Sequence, residues 1–189
     1  RRATLPMTVA ERLAVLVSRS LQDHLVRHHA LPASLAADLV MRGRETAIIR
    51  LSAGSDEPEL LRLVSQMRHA GRLTPTLLLR ALCTGDVAFF EAALAELAGV
   101  PVENARILVH DVGRIGLSRL YEKAGLPPHI FPMIRAAVEA VGDSRFDGEP
   151  RDLERYRARI ITRVLTQCEE TDAADTDYLV EKLGDLLAA

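Results

Sequence analysis

The chain has 189 residues, 48% hydrophobic and 26% charged, with a formal net charge of −2. This is the balance of a folded globular protein of one large or two small domains, and the lack of a basic surplus argues against nucleic acid as a partner. Two widely separated cysteines, Cys83 and Cys168, form neither a disulfide framework nor a CxxC metal pair, so a reducing, cytoplasmic setting is expected. No apolar run reaches the roughly 18 residues of a membrane span, and no secretory leader is visible. The sequence opens at Arg1 without an initiator Met, the expectation being a piece of a longer protein.

The predicted elements are all helices. The first starts near Thr8, where Thr8 to Glu11 has the capping-box spacing. Val9, Leu13, Leu16, Val17 and Leu21 form one apolar face of it. His24 and His28 lie four apart on the same side, a spacing that can hold one metal. With no carboxylate or thiol to complete a set, a partly buried pair or an interface is expected. Ala30-Leu31-Pro32 ends this helix, and Pro32 opens a second that runs to about Leu51. Ser55 or Asp56 caps a third, which ends near Ala70. Thr74 caps a fourth and Pro75 opens it.

The stretch Cys83-Thr84-Gly85-Asp86 reads as a tight corner between two helices. Gly85 suits a helix C-terminus that needs positive φ, and Asp86 suits the next N-cap. Phe89 and Phe90 point to adjacent faces of the fifth helix. Glu91 and Glu96 are its only charges before Gly99, so it is expected to be central and buried. Further helices are predicted at about 101–111, 114–124, 127–141, 151–170 and 174–187. The Gly- and Asp-rich stretch 142–150 reads as a linker, giving a body at 1–141 and a C-terminal helical pair at 151–189. Ala30-Leu31-Pro32, Gly99-Val100-Pro101 and Gly125-Leu126-Pro127 each start a helix after a short turn. Their recurrence points to stacked antiparallel hairpins. The predicted class is all-α: nine or ten helices in a HEAT-like stack or an irregular bundle, with no sheet.

Candidate chemistry is sparse. His110 and Asp111 open the sequence HDVGRIG, which resembles the HD-x-G-K/R motif of HD and HD-GYP phosphohydrolases. The resemblance implies a divalent metal held by His110 and Asp111, with an upstream histidine such as His69 and a late aspartate, Asp172, Asp175 or Asp177, completing the set. No GYP follows, and the only later histidine is His129. The alternative assigns His110 and Asp111 to a helix end. Cys83 reads as a buried thiol. Cys168 falls on the core stripe of Leu153, Tyr156, Ile160 and Val164. Arg151, Arg155, Arg157, Arg159 and Arg163 alternate with Asp152 and Glu154, as on a solvated mixed-charge face; an anionic partner is the other reading. No GxxxxGKS/T or GxGxxG phosphate loop and no GxSxG elbow occurs.

The stretches LTPTLLLRALCTGDVAFFEAALAELAGVP and GLSRLYEKAGLPPHIFPMIRAAVEAV resemble an all-helical family, found mainly in alphaproteobacteria, that is catalogued only as a domain of unknown function. The resemblance covers Leu73 to Val141, with ALPASLAADLVMRGRE as support upstream. It implies a cytoplasmic protein of HEAT-like hairpins and carries no catalytic residues across. The expected function is therefore a non-enzymatic scaffold or regulatory protein-interaction domain without cofactor, nucleic acid or membrane. An HD-type phosphohydrolase, active or degenerate, is the alternative. The stripe of Tyr156, Ile160 and Val164 and that of Leu179, Leu183 and Leu186 are expected to pack on the body or against a second copy, a homodimer being the favoured of the two.

Overall fold

The chain folds into helices, several of them begun by a side chain that satisfies free backbone groups at the helix end. In a computed structural model that describes residues 6–29, 31–53, 55–111, 115–143 and 152–169, these are α1 (Met7–His29), α2 (Ala33–Ser52), α3 (Glu57–His69), α4 (Pro75–Thr84), α5 (Val87–Ala98), α6 (Val102–Val109), α7 (Ile115–Lys123), α8 (Phe131–Asp143) and α9 (Asp152–Glu169). A single 3₁₀ turn, Pro128–Ile130, precedes α8. The described residues contain no strand, so the protein is all-α. The sequence places α8 four residues too early because Pro128–Ile130 first form a tighter 3₁₀ turn, with Pro127 extended as its cap. The expected tenth helix at 174–187 lies outside the described residues, as do 144–151, which include most of the 142–150 linker.

Chain contacts define two compact units, Arg1–Gln66 and Met67–Ala189. The division falls inside α3, well before the 142–150 stretch. In the first unit, α2 packs along α1 after a three-residue connection at 30–32. α1 starts at Met7, where the Pro6 carbonyl accepts from Val9 N–H at 2.9 Å and Ala10 N–H at 3.0 Å; the Thr8 side chain of the expected capping box lies outside the described residues. Glu11, the other half of that box, is instead fully buried, and its Oε2 accepts from Gln66 Nε2 at 2.9 Å. Among the described residues of α1, Met7, Glu11 and Val15 are buried. Its apolar face points the other way. Val9, Leu13, Leu16, Val17 and Leu21 are all exposed, with Leu16 at 61% and Val17 at 64%.

In the second unit, α4 and α5 are the hub. α4 contacts α5, α8 and α9, and α5 contacts α4, α6 and α7. The corner between them forms as its residues dictate. Thr74 accepts from Leu77 N–H at 3.2 Å, with Pro75 in the first turn. Gly85 takes φ 89°, and Asp86 accepts from Phe89 N–H at 3.1 Å. Leu77, Leu78, Leu79, Leu82, Phe89, Phe90 and Leu94 have almost no exposed surface. Each contributes about 1.5–3 kcal/mol by leaving water, which offsets the ordering of so many short helices. α9 packs on α8 and α4 with Tyr156, Ile160, Ile161 and Val164 buried. The stripe of Tyr156, Ile160 and Val164 is therefore used within its own unit; Leu179, Leu183 and Leu186 lie outside the described residues.

Candidate functional site

α5 is so apolar that its one buried carboxylate needs an explanation. Glu91 is 7% exposed, and an ionised group in such surroundings must be paired and hydrogen-bonded. α6 supplies both partners. Arg106 Nε donates to Glu91 Oε2 at 3.1 Å, and His110 Nε2 lies 2.7 Å from Glu91 Oε1. A carboxylate only accepts, so the proton of this contact sits on His110 Nε2. Arg106 and His110 are each half-exposed, and the pair of contacts spans from the middle of α5 to the end of α6.

The next residue turns the chain into α7. Asp111 Oδ2 accepts from Gly116 N–H at 3.3 Å, so its side chain closes one of the free donors at the start of α7. Gly116 is required for another reason. A Cβ there would stand 2.8 Å from the Leu108 carbonyl oxygen and 3.1 Å from Leu108 Cα. The absent side chain lets α7 lie directly on the backbone of α6. His110 and Asp111 thus point to different tasks, one back to α5 and one forward to α7, as adjacent residues near a helix end do.

A cleft of about 270 Å³ opens beside this corner, lined by Val109, His110, Asp111, Leu117, Arg135 and Glu139, among others. Its charges are mixed: Arg135 Nε stands 3.9 Å from Glu139 Oε1. The carboxylates of Asp111 and Glu139 face the same space as that guanidinium, so the cleft offers no concentrated positive field for a phosphate.

The other residues singled out from sequence are dispersed. His69 is exposed at the end of α3. Asp172, Asp175 and Asp177 lie outside the described residues, and among the described residues no three His, Cys, Asp or Glu side chains come together as metal ligands would. His24 and His28 are exposed, with ring centroids 4.5 Å apart, and His29 lies edge-on to His24 at 5.5 Å. Cys83 is buried, as expected of a core thiol, whereas the Cys168 side chain lies outside the described residues. Arg155, Arg157, Arg159 and Arg163 are exposed, as on the expected solvated face; Arg163 Nη2 is 3.9 Å from Glu139 Oε2. Arg151 is outside the described residues. Sequence reasoning did not single out Glu91 and Arg106 as partners of His110. The available signal was the isolated carboxylate in an otherwise apolar stretch of helix.

The fold places the protein in the class of all-helical domains. The chain belongs to the family described as "uncharacterised protein conserved in bacteria (DUF2336)", which matches residues 1–174. No curated protein and no solved structure matches it.

Proposed function

We propose that the protein is a non-enzymatic, cytoplasmic helical scaffold or regulatory domain that works by binding other protein surfaces. The carrying observation is the orientation of α1. Its packed positions include a glutamate, while Val9, Leu13, Leu16, Val17 and Leu21 of the same helix face outward. Contiguous exposed apolar surface on a folded protein marks an interaction site. The use of His110 and Asp111 supports the same reading, since both hold helices together in the α5–α6–α7 corner. No helix among the described residues is long and apolar enough to cross a membrane.

The test compares affinity capture from the native cell by the wild-type chain and by a Leu16→Glu/Val17→Glu variant, with captured proteins identified by mass spectrometry. The expected result is loss of specific partners in the variant while its helical circular dichroism and melting temperature stay unchanged. Retention of the same partners would count against an interaction role for α1. A parallel assay with a phosphodiester substrate and manganese is expected to show no turnover above blank; turnover abolished by His110→Ala would replace this reading with the HD-type hydrolase.

A further inference from the structure

The exposed face of α1 has internal symmetry. Val17 lies at its middle, with Leu13 and Leu21 four residues to either side and Leu16 next to it. Arg12 and Asp23 lie about three turns apart, on one flank of this stripe, with Val17 midway between them. Both are exposed. Asp23 is engaged only by the distant, solvent-screened Arg27 at 3.9 Å among the ion pairs seen.

A two-fold axis through Val17, perpendicular to the helix, sets α1 antiparallel to a copy of itself. Under that operation a flank meets the same flank of the copy. Arg12 of one chain then falls beside Asp23 of the other, twice per pair, while Leu13 and Leu21 exchange places across the seam. A parallel pairing would set Arg12 and Arg19 level with their own copies, which like charges oppose. The stripe's five side chains expose on the order of 400 Å², within the size of patch that monomers rarely leave without use. Two such stripes with their flanks approach the lower end of specific interfaces, about 1,200 Å² in total.

We infer that a second copy of this chain covers α1, in an antiparallel pair centred on Val17 and registered by Arg12 and Asp23. The partner's chemistry is thus the same apolar stripe with the opposite charge at each end. This rests on the reading of α1 as a binding face and names its occupant.

The test is the oligomeric state of the full chain by sedimentation velocity over the micromolar range. The wild type is expected to dimerise. Arg12→Glu and Asp23→Arg are each expected to weaken dimerisation about tenfold or more, and the double reversal Arg12→Glu/Asp23→Arg to return to within about threefold of wild type. Both positions are exposed on α1, so folding should survive, and unchanged melting of each variant checks this. A wild-type chain that stays monomeric, or a dimer indifferent to all three variants, overturns the inference. So does a double reversal no tighter than the singles, because the two positions then do not pair across the seam. None of these outcomes touches the interaction role of α1, which falls only if Leu16→Glu/Val17→Glu captures the same partners as the wild type.

Discussion

Glu91 shows how one side chain sets the tolerance of a whole corner. Its removal leaves Arg106 and His110 without their shared acceptor, but both are half-exposed and reach water. The loss should therefore fall below the 3–5 kcal/mol typical of breaking a fully buried pair. Glu91→Ala is expected to destabilise the protein by about 1–3 kcal/mol and Glu91→Gln by less, since the amide oxygen still accepts from one partner. Urea unfolding followed by circular dichroism measures both; equal losses would mean that packing rather than the ionic contacts dominates. A second residue-scale effect is set by pH. Burial, with a smaller contribution from Cys83, raises the Tyr156 phenol from 10.0 to about 12, and burial raises Tyr121 in the same direction. Above pH 10 the unfolded chain loses these protons while the folded chain keeps them, so the unfolded state binds fewer protons and stability falls with rising pH. The contribution is fully present below pH 10 and is lost between pH 10 and about 12. Urea midpoints across that window are expected to fall, and less steeply in Tyr156→Phe; identical slopes would refute the assignment.

At the scale of elements, the contact of α6 with α7 depends on a missing side chain. Gly116→Ala would press a methyl group against the Leu108 backbone, which is not the end of a flexible side chain and has nowhere to rotate. A loss of about 1–3 kcal/mol is expected, as for other overpacked sites, seen as a lower melting temperature; an unchanged melting curve would show that α7 shifts freely. Local chemistry of this scale was the most legible part of the sequence. The α4–α5 corner followed from Thr74, Pro75, Gly85 and Asp86 because caps act within four residues of themselves. Asp56 capped α3 for the same reason, accepting from Glu59 N–H at 2.8 Å. Two things were not legible. The periodicity of α1 located its apolar face but could not tell whether anything covers it, and the structure leaves it outward. The bond between Glu91 and His110 joins residues 19 apart, and no local rule brings them together. The HD resemblance, a short local signature, carried no information about which way each side chain turns.

Over the whole molecule, burial is uneven. α4 and α5 supply most of the largest fully buried side chains, whereas among the described residues of α1 Met7, Glu11 and Val15 are the buried ones. Amides that open only with the core exchange slowest. Hydrogen exchange is expected to be slowest in α4 and α5 and faster by at least an order of magnitude in the outward half of α1 in a monomeric sample; equal protection would require α1 to be covered. The placement of the aromatic rings has a separate, optical consequence. The chain has no tryptophan, and Tyr121 and Tyr156 both belong to the unit Met67–Ala189, where burial gives them fixed surroundings. Residues 1–66 contain no phenylalanine or tyrosine at all. Near-ultraviolet absorbance and emission therefore report on the second unit alone, and the hairpin of α1 and α2 could melt without any change in those signals. Far-ultraviolet ellipticity, which counts every helix, would register that event as a loss of amplitude with no aromatic counterpart.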